Sequence, residues 1–164
     1  MGTTAAGVFG ILTGALFFVV LWYALTLAAR WMVFSKAGIA GWKAFIPIYS
    51  TYCLYRIAWR RNYFWWYLAA LVISSYVNSD IERLTEAGQA VPALFGLLST
   101  VLGLIILVLN VMVNIHLAAR YGHSFLFGLG LMILPPLFTI ILGMGASEYR
   151  GNPAEGLPPR RYYV

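Results

Sequence analysis

The chain has 164 residues, of which 62% are hydrophobic and only 10% charged, against roughly 45–50% and 25% in soluble domains. That balance excludes an ordinary water-soluble fold, which could not hide so much apolar surface, and predicts an all-α integral membrane protein with lipid as its main solvent. The net charge of +6 does not signal nucleic acid, because every acid lies after residue 79 and the basic excess is one juxtamembrane block of Arg30, Lys36, Lys43, Arg56, Arg60 and Arg61.

The first predicted span runs over about 5–29, carries no charge and closes at Arg30. It is long enough to cross a bilayer with some tilt. The residues before it supply no basic side chain, so it reads as a retained helix and not as a cleaved signal peptide. Gly10 and Gly14 form a GxxxG pair that permits close approach of a second backbone.

Residues 34–61 mix aromatics, Pro47 and basic side chains. A crossing here would split the basic block across the membrane, against the positive-inside bias. The segment therefore predicts an interfacial helix on the cytoplasmic side, over about 42–60. Trp42 would sit at the interface, with Lys36, Lys43, Arg56, Arg60 and Arg61 reaching the headgroups.

A second span is predicted over 62–78, anchored by an aromatic belt that includes Trp65 and Trp66. The polar loop that follows holds Asp80, Glu82, Arg83 and Glu86 and is expected to face away from the cytoplasm. Pro92 starts the third span, over about 93–119. Within it Gly96, Ser99, Gly103, Asn110 and Asn114 fall at helical spacings along one stripe. That stripe is too polar for acyl chains, so it is expected to meet protein, through interhelical hydrogen bonds or as a polar lining for substrate or water.

His116 points about 200 degrees away from Asn114 around the same helix. It is a candidate ligand for a pigment or haem, but no spacing pairs it with His123 as a metal site. The fourth span, about 125–143, is interrupted at Pro135 and Pro136, which remove two backbone donors and free carbonyls near mid-depth. Neighbouring helices could satisfy that kink, or it could form part of a binding site. The domain is taken as 1–146, followed by an extended Pro/Gly-rich tail over 147–164. Charge places both termini outside a bacterial cytoplasmic membrane.

No carboxylate falls within a predicted span, and no HExxH, GxSxG, Walker loop or dinucleotide fingerprint occurs. No catalytic residue, metal or cofactor is therefore predicted. The string FSKAGIAGWKAFIPIYSTYCLYRIA and the later HLAARYGHSFLFGLGLMILPPLFTIILGMGASEYRG resemble an uncharacterised family of small multi-span bacterial membrane proteins. Some relatives in that family are linked with type I signal peptidases. The resemblance covers residues 34–61 and 116–151. It implies an architecture and no reaction; this chain lacks a peptidase domain, and His116 replaces an acid frequent in relatives.

The leading functional expectation is a non-enzymatic accessory or scaffold subunit of a membrane assembly. Its partners would be lipids and other membrane subunits or copies of itself, contacted through the Gly10/Gly14 and Gly96–Asn114 faces. The alternative is a small channel or transporter lined by Asn110, Asn114 and the break at Pro135-Pro136. A pigment- or haem-binding subunit through His116 is a lesser alternative.

Overall fold

A computed structural model describes residues 2–159; the last five residues of the predicted tail lie outside the described residues. The described chain is built of helices: α1 (Gly2–Lys36), α2 (Pro47–Ala58), α3 (Arg61–Glu86), α4 (Ala93–Arg120), α5 (Phe125–Ile133) and α6 (Pro135–Met144), with short 3-10 turns at Gly41–Phe45 and Pro153–Glu155. Proline occupies the first turn of α2 and of α6, where its missing N–H costs nothing. The long helices stop on glycine. Gly38, Gly88 and Gly122 have φ of 75°, 65° and 80°. The residue after each donates its N–H back into the last turn, as in Ile39 to Phe34 O and His123 to Ala118 O.

Two helices, Phe9–Lys36 and Ala93–Arg120, are long and apolar enough to cross a membrane, against the four spans predicted. The second predicted span exists as α3, but that helix continues through Asn78, Ser79, Asp80 and Glu82 to Glu86. The acidic stretch expected as a loop is thus its last turns, held in part by the Asp80–Arg83 ion pair. These polar residues dilute the apolar run.

The fourth predicted span differs more deeply, because Pro135 and Pro136 do not kink a helix but end one and begin another. Leu134, between them, has φ −129° and ψ 66°, and the two short helices fold back on each other. Phe127 of α5 and Phe138 of α6 pack edge to face at 5.1 Å between ring centres. In one straight helix they would stand about 16 Å apart along the axis. Gly130 leaves room for the Phe138 ring. Past α6 the chain is back where α5 began, since Arg150 N–H donates to Arg120 O at 2.8 Å. Residues 125–144 therefore form a helical hairpin that enters and leaves at one end of the bundle.

The segment predicted as an interfacial helix is also drawn inward. After Lys36 the chain runs back along α1: Gly41 lies against the Trp31 indole, and Phe45 packs on Trp31 with rings 5.7 Å apart. Helix α2 then climbs back. Ser50 meets Arg30, and Ala58 O receives the Arg120 guanidinium at 3.2 Å. Ser50, Cys53, Tyr55, Ile57 and Ala58 are buried, so α2 is a core helix. Two re-entrant elements thus share the end of the molecule that carries Lys36, Arg56, Arg61, Arg120 and Arg150.

The main core lies at that end, where Phe34, Tyr55, Ile57, Phe64, Leu117 and Tyr149 are buried together. A smaller cluster of Ala70, Val77 and Leu102 joins α3 to α4 further away. The segment read as an extended tail is docked as far as Leu157. Tyr149 is 1% exposed and donates to Ile57 O at 2.9 Å. Asn152 is fully buried and donates to Arg56 O and Trp59 O. By contrast Phe9, Leu12, Phe17 and Val20 in the first half of α1 project outward, exposed.

Candidate functional site: a polar cavity between the two re-entrant elements

The hairpin tip and α2 meet around a cavity of about 180 Å³, lined by residues of all the long helices and both re-entrant elements. Arg30 comes from α1, Thr51 and Tyr55 from α2, Tyr67 from α3, Asn110 and Asn114 from α4, and Pro135 and Thr139 from the hairpin. Depth follows from helix lengths. The nine residues of α5 reach about 14 Å inward, and Asn110 lies about 15 Å along α4 from Arg120.

Each element delivers its polar group for a local reason. Asn114 donates its amide to Asn110 O, one turn earlier, at 2.8 Å. Thr51 and Thr139 return their hydroxyl hydrogens to Pro47 O and Pro135 O, the carbonyls that start their helices. Arg30 donates from Nη1 to Ser50 Oγ at 3.2 Å. Tyr55, packed against the Tyr67 ring at 5.7 Å, has a buried hydroxyl with no hydrogen-bond partner.

The structure therefore brings Asn110, Asn114 and Pro135 to one place, and adds Arg30, Tyr55 and Thr139, which sequence reasoning did not single out. Arg30 was read as the end of the first span. Its helix runs on to Lys36, so the guanidinium sits nearly two turns inside. Thr139, four residues after Pro135, was the available signal for the last.

Other candidate residues fall elsewhere. Gly10, Gly14, Gly96 and Gly103 face open space, with no atom within 4 Å of where a Cβ would stand, so they pack against nothing in this chain. Ser99 donates to Asn78 Oδ1 at 2.7 Å, joining α4 to α3. Pro136 is buried beside the cavity-lining Pro135.

His116 is turned away from the cavity, its Nδ1 2.7 Å from Met112 O and its ring stacked on Trp59. Among the described residues no group of His, Cys, Asp and Glu is arranged to hold a metal. The predicted interface residues divide. Trp42, Trp65 and Trp66 are well exposed, and so are Arg60 and Arg61, whereas Lys43 and Arg56 are half-buried. Lys43 lies over the Tyr49 ring at 5.4 Å. Lys36 does not reach outward; its ammonium donates to Leu142 O, Gly145 O and Ser147 O at 2.9, 2.6 and 3.2 Å. A groove of about 570 Å³ beside it is open and mostly apolar.

These features define a helical protein with a partly open polar cavity among its helices. Residues 42–152, more than half of the chain, match the family of unknown function DUF5684, and the chain belongs to that family. The matched stretch holds both re-entrant elements and every cavity residue but Arg30 and Val33. No curated protein and no solved structure matches.

Proposed function

We propose that this chain is a non-enzymatic, multi-pass membrane protein that admits small polar solutes to its internal cavity, a role of the channel or transporter class. The carrying observation is the cavity itself, which lies where two re-entrant elements meet. In hydrocarbon, backbone that breaks off in mid-bilayer is tolerated only when it is buried in protein or lines a polar space. The Pro135 break is arranged that way, with Pro135 in the cavity lining and Pro136 buried beside it.

Helices α1, α3 and α4 make the full crossings in this reading. The exposed apolar side chains of α1 and α4 face lipid. The basic end lies on the cytoplasmic side, which puts the docked C-terminal segment there and the beginning of α1 outside. A bacterial cytoplasmic membrane is the expected location, and lipid the expected surrounding.

The test is uptake of glycerol and of small ions into liposomes carrying the full chain. Asn110→Leu, which fills a polar wall with an apolar side chain, is expected to reduce the uptake. If no solute enters faster than into protein-free vesicles, and Asn110→Leu changes nothing, the solute role is wrong.

A second reading, an accessory subunit or scaffold, is favoured by a separate observation: Gly10, Gly14, Gly96 and Gly103 leave open faces on helices whose apolar sides are unpaired in this chain. Native-membrane mass analysis tests it. A chain that always runs alone argues against it.

A further inference from the structure

We infer that the cavity is an anion site, which takes a small monocarboxylate or similar planar oxyanion on the Arg30 guanidinium. This rests on the solute-cavity reading above and adds the charge of the occupant. The first argument is charge balance. Arg30 is the only charged side chain in the lining, and no acid precedes Asp80 in the chain. Among the described residues the carboxylates that form ion pairs are Glu155, with Arg61, and Asp80, with Arg83. Neither lines the cavity. A part-buried guanidinium without a counter-charge is unfavourable, and one bound anion removes most of that cost.

The second argument is the balance of donors and acceptors. A guanidinium has five N–H groups in a planar fork, and Arg30 gives Nη1 to Ser50 Oγ. The hydroxyl hydrogens of Thr51 and Thr139 and one N–H of the Asn114 amide are committed to backbone carbonyls. Donors outnumber acceptors in what is left: the rest of the Arg30 fork, the hydroxyl of Tyr55, a side chain 1% exposed, and the remaining N–H groups of Asn110 and Asn114, against the two amide oxygens of those asparagines. A carboxylate accepts at two oxygens and matches the fork bidentately, whereas a neutral amide or alcohol offers less and a cation is repelled. Pro135, the first residue of the ten-residue α6, also lines the cavity and brings the positive end of that helix to it.

The third argument is size. A space of about 180 Å³ corresponds to about six waters at ~30 Å³ each. Acetate, formate, bicarbonate or nitrate fit with some water.

The test is equilibrium binding of radiolabelled acetate to the purified full chain in a neutral detergent, with a bulky buffer anion. Saturable binding is expected, displaced by nitrate and not by acetamide, the neutral isostere. Arg30→Gln is expected to weaken acetate roughly thirtyfold. Arg30→Lys keeps the charge without the fork and falls between, and Tyr55→Phe weakens binding by a few-fold. Should Arg30→Gln not fold, Arg30→Lys and Tyr55→Phe decide.

Acetate that fails to bind the wild type, or binds the folded variants undiminished, overturns the inference. So does protection by phosphatidylglycerol but not by acetate. Glycerol uptake that persists without acetate binding sinks the anion assignment and leaves the cavity reading standing; loss of both sinks both.

Discussion

Arg120 donates from Nη2 to Asn152 Oδ1 at 3.1 Å, and the Asn152 amide donates onward to Arg56 O and Trp59 O at 2.8 and 2.7 Å. One buried side chain thus ties the end of α4 and the end of α2 to a segment far along the chain. Both hydrogens and the oxygen of its amide are in use, and only asparagine supplies that set in this volume.

Asn152→Ala is therefore expected to lower stability by about 2–4 kcal/mol, because it strands the two carbonyls and the guanidinium in a buried place. Asn152→Asp should not rescue it, since a carboxylate cannot donate to Arg56 O and Trp59 O. Thermal unfolding in detergent measures the loss, and early proteolysis after Met144 would locate it. An Asn152→Ala chain as stable as the wild type would show that the clamp does not hold the segment.

Lys36 closes the other side of the hairpin. Its ammonium satisfies carbonyls at the C-terminus of α6, where the helix dipole also favours a cation. Lys36→Met keeps the aliphatic stem and removes the donors. A loss of about 1.5–3 kcal/mol is expected, with faster hydrogen exchange confined to 142–148. Exchange raised evenly over the whole bundle would mean that the contact is not local to the hairpin.

Much of this was legible in the residues and some was not. The apolar runs in α1 and α4 announce themselves, since length and hydropathy decide them without tertiary help. The Asn110/Asn114 stripe and the Pro135 break were readable as polar places that lipid would not tolerate. Their meeting was not, because a Pro-Pro pair in an apolar run reads equally as kink or hairpin. What separates the two is Gly130, which admits the Phe138 ring, and a ring contact between residues eleven apart is invisible to helical periodicity. Basic residues likewise carry no label for direction. Lys36 and Arg30 look like interface residues by spacing, yet Lys36 binds carbonyls and Arg30 lines a cavity. The composition of 147–159 suggests a loose tail, but Tyr149 and Asn152 supply the buried hydrogen bonds that overrule it.

Tyr149 also gives a pH dependence. Burial, opposed by the nearby charges of Arg120 and Arg56, pushes its hydroxyl up to about 12 from its ordinary value near 10. A raised folded value means that the folded state holds the proton more tightly. Its stabilising contribution is complete below about pH 10 and is lost as pH rises toward 12. Unfolding midpoints are expected to fall over that interval, and Tyr149→Phe should flatten the fall. A slope unchanged in the variant would assign the alkaline loss to other groups.

The hairpin predicts sidedness that a fourth crossing does not. Cys53 is 1% exposed, so it should stay silent to a maleimide at neutral pH in the folded chain. Single cysteines can then be added to the natural sequence at exposed sites: Ser124→Cys before α5, Ala146→Cys after α6, and Gln89→Cys between α3 and α4. In sealed vesicles Ser124→Cys and Ala146→Cys should react from the same side, and Gln89→Cys from the other, because Arg150 and Arg120 share a backbone hydrogen bond. Labelling of Ser124→Cys and Ala146→Cys from opposite sides would mean that residues 125–144 cross the bilayer. The cavity would then lose the re-entrant wall on which its polar lining depends.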